Sequence, residues 1–549
     1  METRTRNSQR KTHGCQTVAE PLIHRFQTER NKYIFDSNTG EILRVDDVVW
    51  AIAPDSYLSQ DELISKYVPQ FSPAQIVQAH DEIRTVQTEE GYLLNHHPEV
   101  GLRISRERVH QLLGAEREQL GLNVTEGCNF LCAYCYYSLS DTGVRTHGQR
   151  NMSWETAKAA IDDFLEHCRV PKSPPEDDGQ RGYGPWRISP VKKTIRDEDV
   201  PPCISFYGGE PLLNFPLIKK CTEYTLEKTK GKTIGFQMST NGSLLKGEAA
   251  EFLGAHHFSI RISIDGPPSI HDQYRRTASG SPTWAMVVDN MRRYLAKNPS
   301  YLPFIGATVA RTANYLDVCT YLATADWIPP IALVDVNLAS DPFPGYYEPA
   351  DEEQPRPGIC EAHERYMRNL VKGRFNLYVN DREFTMQRNL FAGELQRLHQ
   401  NRWGCAVHRH LPAKVMPGGV CVAGSRKTFV SVSGDYYPCE RVEECETCRI
   451  GNVSTGIDED KVYALLKEFV DCTREECQRC WCVPICAIGC YATVQSKGGY
   501  TAAAKQRACP GVRDQAHMRL IDYCTVMEKN PHAFDYLTHE TVEKQKSSA

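Results

Sequence analysis

Cys128, Cys132 and Cys135 stand in the run GCNFLCAYCYY, with three residues between the first pair and two between the second. Thiols at this spacing can hold three irons of a [4Fe–4S] cube and leave the fourth iron without a protein ligand. A cube with a protein ligand on every iron mainly moves electrons, whereas one with an open iron can also bind a substrate or cofactor. The competing readings are a zinc site or scattered buried thiols. Zinc sites favour paired C-x2-C units and a fourth ligand, and this run has a single C-x2-C unit and no fourth ligand.

The cysteines cluster a second time. Of 22 in the chain, twelve fall between Cys405 and Cys509. The N-terminal METRTRNSQRKTHG is polar and has no apolar core of a secretory signal, so a cytoplasmic chain is expected. In a reducing compartment, thiols at this density bind metal or do chemistry more often than they form disulfides. The net charge is only −5, with no long basic stretch, which argues against nucleic acid as a partner. No apolar run reaches the roughly 18 residues of a membrane span.

A chain of 549 residues predicts roughly three or four domains. Residues 1–19 read as a disordered tail. Residues 20–100 read as a small β-then-α module. Two or three short strands include Ile23, Arg25, Tyr33 and Phe35, and Asn38-Thr39-Gly40 is a hairpin signal. Ser59 and Glu62 suit a capping box, and Pro73 opens a helix with Ile76, Ala79, Ile83 and Val86 on one face. From 119 to 340, strand and helix patterns alternate, which predicts an α/β fold with a parallel sheet. The strand candidates are GLNVTEG, CISFYGG, IGFQMSTNG, FSIRISIDG and FIGATVAR, and a helix is expected from Ser153 to His167. Each strand ends in Gly or polar residues, where an α/β barrel places its chemistry. A Pro-, Gly- and charge-rich insertion interrupts the pattern at 171–200. Residues 341–404 form a bridge, 405–525 a cysteine-rich domain and 526–549 a C-terminal tail.

The strand-end motifs resemble those of the radical S-adenosylmethionine (SAM) superfamily. Cys128, Cys132 and Cys135 match its cluster motif, with Tyr134 as the aromatic residue before the last cysteine. Gly208-Gly209-Glu210-Pro211 after CISFY resembles the segment that contacts the SAM amino group; an ammonium wants carbonyl and carboxylate acceptors. Ser239, Thr240, Asn241 and Gly242 resemble the turn after the third strand. The resemblance places Ser263 on the methionine or ribose part of SAM, with Asp265 nearby, and Arg275 or Arg276 on its carboxylate. It implies a partial (β/α)6 TIM-like barrel.

Further on, Cys421 and Cys439 bracket Gly434 as C-x12-G-x4-C, and Cys477-x2-Cys480-x5-Cys486-x3-Cys490 precedes Cys509. This resembles the SPASM domain, which binds two auxiliary [4Fe–4S] clusters. The resemblance assigns Cys421, Cys439 and Cys490 to auxiliary cluster I, with Cys405 as the candidate fourth ligand. It assigns Cys477, Cys480, Cys486 and Cys509 to cluster II. The cofactors implied are three [4Fe–4S] clusters and SAM. Glu440 follows Cys439, where sulfatase-maturing relatives carry a carboxylate base; the plainer reading is a salt-bridged side chain, with Arg441 as candidate partner. Cys445 and Cys448 form a further C-x2-C pair without an assigned partner.

The 20–100 module resembles the PqqD-like recognition element, winged-helix-like, of enzymes that modify ribosomally made peptides. It implies capture of a precursor's leader by strand addition. The whole resembles the SPASM peptide maturases. The implied activity is radical-initiated crosslinking of a ribosomal precursor peptide, first a thioether from Cys sulfur to carbon. Carbon–carbon or carbon–oxygen crosslinking and formylglycine formation in a sulfatase are the alternatives. A ferredoxin or flavodoxin is the expected electron donor.

Overall fold

The computed structural model describes residues 20–135, 147–169, 201–230, 233–301, 303–310, 313–329, 332–338, 395, 398–399, 411–486, 488–496, 499–500 and 502–531. The 171–200 insertion, Cys405 and almost all of the 341–404 bridge lie outside these residues. The chain divides into two compact units. One comprises residues 1–99, 402–415 and 475–484; the other comprises 100–401, 416–474 and 485–549.

In the first unit, β1 (Ile23–Gln27), β2 (Lys32–Asp36) and β3 (Ile42–Val45) form an antiparallel sheet in the order β1-β2-β3. The β2–β3 turn contains Gly40 as the hairpin signal predicts, and Gly40 N donates to Asp36 O. Helices α1 (Asp47–Ile52), α2 (Gln60–Tyr67) and α3 (Pro73–Glu89) follow. The Ser59–Glu62 capping box forms, and a second one, Ser72 with Gln75, opens α3. Ile76, Ala79 and Ile83 are buried with Ile34, Val49, Ile52 and Leu63 in one core. Val86, expected on the same face, is only half-buried.

The second unit is built on one ten-stranded sheet. Its parallel strands are β4 (Gln119–Thr125), β5 (Cys203–Gly208), β6 (Gly235–Thr240), β7 (Ser259–Ser263), β8 (Phe304–Val309) and β9 (Leu333–Leu338), adjacent in chain order. Helices Trp154–His167, Phe215–Lys228, Gly247–Ala255, Trp284–Lys297 and Tyr315–Thr324 connect them. This is the α/β partial barrel expected. All seven residues of β4 are buried, as a strand covered on both faces requires.

Two strands lie beyond what the pattern signals. Strand β9 carries Asp335 and Asn337 among its apolar residues, so it lacks the continuous apolar run of a buried strand. Strand β10 (Thr428–Val430) belongs to the cysteine-rich segment yet pairs parallel with β4, Thr428 opposite Leu120. It turns into β11 (Asp435–Tyr437), and short strands β12 (Gly451–Asn452) and β13 (Gly456–Ile457) extend the sheet.

The 475–484 stretch is the largest departure from the expected domain limits. It was read as part of one 405–525 domain but packs with the N-terminal sheet. The His24 and Trp481 rings stack at 3.7 Å, a contact no spacing rule signals.

Ile52 is fully buried in the first unit's core. Ile52→Ala is expected to destabilise that unit by about 2–5 kcal/mol, read as a lower urea midpoint.

Candidate active site

The candidate site gathers at the carboxyl ends of β4 to β8. Cys128, Cys132 and Cys135 follow β4 in a loop pinned by main-chain bonds. Leu131 N donates to Arg276 O at 2.8 Å and Ala133 N to Tyr274 O at 2.9 Å, while Cys135 N donates to Cys132 O at 3.0 Å.

Donors face the thiols. Phe130 N points at Cys128 Sγ at 3.4 Å and Asn241 Nδ2 at 4.0 Å. Arg275 Nη1 lies 3.9 Å from Cys132 Sγ, and the His147 side chain hydrogen-bonds Cys135. Burial pushes the Cys128 thiol up to about 12 and the Cys132 thiol up to about 11. Thiolates here therefore need added positive charge, which iron supplies. Among the described residues, no group of three or more His, Cys, Asp or Glu side chains is placed to hold a single metal ion. Thiols that each take a different iron need not converge on one point. The donor set and its N–H neighbours thus fit a [4Fe–4S] cube on Cys128, Cys132 and Cys135.

The GGEP segment lies against this loop. Gly209 N donates to Thr125 O at 3.0 Å and Glu210 N to Gly127 O at 2.8 Å. A Cβ on Gly209 would come within 2.3 Å of Gly127 O and 2.9 Å of Cys128 Cβ, so only glycine permits this approach.

The Glu210 side chain, in the segment assigned to the SAM amino group, turns toward the ends of β5 and β6. The side chain is fully buried. Oε1 accepts from Leu212 N at 3.1 Å and Thr240 Oγ1 at 2.7 Å, and Oε2 accepts from Asn241 N at 2.8 Å. Pro211 opens the short helical turn that follows.

Asn241 sits against the cysteine loop, its Nδ2 2.9 Å from Asn129 Oδ1. Ser239 and Ser263 are half-buried at the ends of β6 and β7. Asp265 is fully buried. It accepts from Tyr134 Oη, from Arg275 Nε at 2.8 Å and from Thr308 N at 2.8 Å. Arg275, a candidate for the SAM carboxylate, donates its Nε to Asp265 and turns its Nη1 toward Cys132. Arg276 is exposed and donates to Asp272 O. His147 and Asn129, which complete the cysteine loop's surroundings, carry no sequence signal that marks them.

In the cysteine-rich segment, Cys439 follows β11. Gly434, the glycine of the C-x12-G-x4-C motif, forms the β10–β11 turn with φ +89°. Burial raises the Cys421 thiol, and burial also lifts Cys439 to about 12; Cys490 is close enough to raise both. Cys490 thus lies within electrostatic reach of both Cys421 and Cys439. Glu440 pairs with Lys427 Nζ at 2.6 Å, where Arg441 was the expected partner. Cys477 and Cys480 belong to the first unit, and Cys486 and Cys509 to the second. Cys445 and Cys448 share a tight turn, Cys448 N donating to Cys445 O at 3.1 Å.

Residues 190–306 match the model of the Radical SAM superfamily. The matched stretch includes β5, β6 and β7, whose strand ends carry Glu210, Asn241 and Asp265. The chain is 26% identical over 165 residues to a serine-type anaerobic sulfatase-maturating enzyme of Bacteroides thetaiotaomicron, covering 30% of this chain and 33% of that one. It is 23% identical over 390 residues to a cysteine-type anaerobic sulfatase-maturating enzyme of Clostridium perfringens, covering 68% and 88%. A radical SAM cyclopropyl synthase, TigE, of Paramaledivibacter caminithermalis is 22% identical, covering 52% of this chain and 55% of its own. The chain thus spans a third of the first relative and about half of the last. The solved structure of native anSMEcpe with bound AdoMet superposes with a TM-score of 0.50 at 21% identity, covering 74% of this chain and 98% of that one; this likeness concerns the fold.

A methyl group on Gly209 must displace the cysteine loop, so Gly209→Ala is expected to lose the iron held there, measured as iron per chain after anaerobic reconstitution. Burial also raises the Glu210 carboxyl from 4.5 to about 7. A carboxyl raised in the folded state adds stability below its unfolded value, and that contribution is lost as pH rises through about 7. Thermal unfolding of metal-free protein should show this fall between pH 4.5 and 7, and Glu210→Gln should flatten it. An unchanged slope in the variant contradicts the assignment.

Proposed function

We propose that this protein is a radical SAM maturase that installs intramolecular crosslinks in a ribosomally made precursor peptide, the bond being a thioether from a Cys sulfur to a carbon. The observation that carries this reading is the pairing of two thiol groups in one unit. Cys128, Cys132 and Cys135 sit at the barrel mouth. Cys421, Cys439 and Cys490 gather in the segment whose strand β10 continues the barrel's sheet. A second centre in the unit that carries the radical site would provide a place to hold a substrate thiolate or accept the electron left after bond formation.

Cys128, Cys132 and Cys135 would hold a cluster whose reduced form would supply the electron for cleaving SAM and so the hydrogen-abstracting chemistry the crosslink needs. The chain's own residues bind and orient. Cys128, Cys132 and Cys135 ligate; the GGEP main chain receives the SAM ammonium; Ser239, Ser263 and Asn241 line the strand ends. Tyr134, Asp265 and Arg275 brace the cysteine loop. The sheet of the first unit holds the leader by strand addition on β3, which among the described residues pairs with β2 alone. Cys477 and Cys480 are ligands of auxiliary cluster II, Cys421, Cys439 and Cys490 are ligands of auxiliary cluster I, and a ferredoxin or flavodoxin supplies reducing electrons.

A carbon–carbon crosslink on the same scaffold is the second reading, favoured by the similarity to a relative named a cyclopropyl synthase. Formylglycine formation is the third, favoured by the relatives named sulfatase-maturating enzymes. In that third reading Glu440 acts as base, and its ion pair with Lys427 favours the charged carboxylate that a base requires.

Anaerobic reaction of a precursor peptide with enzyme, SAM and reductant, followed by reduction, alkylation and mass spectrometry, tests this. Loss of two hydrogens with one thiol per event no longer alkylated is expected. The same mass loss with every thiol free overturns the thioether. Cys128→Ala should abolish 5′-deoxyadenosine formation, whereas Cys480→Ala should retain part of it and lose crosslinking.

A further inference from the structure

The stretch Glu475–Pro484 is distant in sequence from the N-terminal sheet yet belongs to the same unit. Its contacts converge on the Cys477–Cys480 turn. The Trp481 indole, directly after Cys480, stacks on His24 of β1 with ring centroids 3.7 Å apart and planes 8° apart. Phe35 of β2 meets the same indole edge-on at 6.2 Å. Ser37 Oγ donates to Trp481 O at 2.6 Å. His97 Nδ1 lies 3.1 Å from Gln478 O, directly after Cys477, while its Nε2 lies 2.9 Å from Glu20 O.

Within the turn, Cys480 N donates to Cys477 O at 3.2 Å and Val483 N to Cys480 O at 3.1 Å. Two of the outside contacts reach main-chain carbonyls and two meet the Trp481 ring. Such anchors fix the backbone that carries the thiols, not only a side chain. The turn joins a five-residue helix, Arg474–Gln478, to a helical turn at Val483–Ile485; elements this short do not order themselves, so the anchors decide whether the thiols are presented in one arrangement. The Cys477 side chain is buried there.

We propose that the N-terminal sheet is the template that fixes the Cys477–Cys480 turn, with His24, Ser37 and His97 as positioning residues for those thiols. The inference rests on the reading of Cys477 and Cys480 as ligands of auxiliary cluster II. It makes the peptide-recognition module a structural part of a redox centre. Removing the module should then cost that centre and not only substrate binding.

The test uses the full-length chain as wild type, His24→Ala, Ser37→Ala and His24→Phe. In metal-free protein, the alkylation rate of each cysteine is read by peptide mapping. Cys477 and Cys480 should react several-fold faster in His24→Ala and Ser37→Ala, with Cys128 unchanged. His24→Phe, which keeps a stacking ring, should restore the slow rates. After anaerobic reconstitution, His24→Ala should hold about four fewer irons per chain, one cube's worth. Unchanged rates at Cys477 and Cys480 in both alanine variants overturn the template. Cys480→Ser tests the ligand reading separately. If it keeps full iron, cluster II is misassigned, while faster alkylation in His24→Ala still upholds the template.

Discussion

One buried carboxylate fixes the mouth of the barrel. Glu210 is fully buried, and its oxygens receive Leu212 N, Thr240 Oγ1 and Asn241 N. Removing an ion from water costs several kcal/mol unless its lone pairs are satisfied, so the carboxylate holds only while all three donors stay in place. Those donors come from its own strand end and from the end of β6. Their union sets the spacing of two adjacent strand ends. It also sets Asn241, whose amide faces Cys128. Gly209, just before Glu210, thereby lies flush against Gly127 and Cys128. Moving this carboxylate shifts the cysteine loop, the GGEP main chain and the β6 turn together.

The sheet carries that order into the cysteine-rich segment. Strand β10 adds to β4 in parallel, and Phe429 packs edge-on against Tyr207 of β5. From β10 the chain has only the Gly434 turn and β11 before Cys439. A residue with a Cβ is disfavoured at φ +89°, and a Cβ there would also come within 2.9 Å of Val453 Cγ2. The hairpin is locked further by Tyr436, whose hydroxyl donates to Asp163 at 2.7 Å, the carboxylate that Arg117 Nη1 meets at 2.6 Å. Cys439 is thus placed by hydrogen bonds that begin at the strand preceding Cys128.

Much of this was legible in the residues, because the signals are local. The hairpin at Gly40, the Ser59–Glu62 box, the Ser153 cap and five strand-to-turn junctions each depend on neighbours a few positions apart. Strand β10 was not legible: three residues between a cysteine and a glycine turn have no period to read, and their partner lies some three hundred positions away. The inward turn of Glu210 was hidden for another reason. The motif specifies a carboxylate beside the glycines, but only tertiary structure brings Thr240 and Asn241 to it. The 475–484 stretch was assigned by its cysteines, whereas its packing is set by Trp481 between them.

Asp265 and Arg275 show how the same charges can serve the fold before they serve a ligand. Asp265 has no exposure, and Arg275 is 8% exposed. A buried ion pair is stabilising only with good geometry and further hydrogen bonds. Here Tyr134 and Thr308 N complete the carboxylate. The guanidinium divides itself between Asp265 and Cys132 Sγ, with Tyr134's ring 5.3 Å from Arg275 Cζ. Arginine suits this because its planar fork reaches two acceptors at once and stays charged when buried, which a lysine does less well. The positive charge lies beside a thiol that burial otherwise keeps protonated, so the pair orders the loop and also favours the thiolate that iron requires.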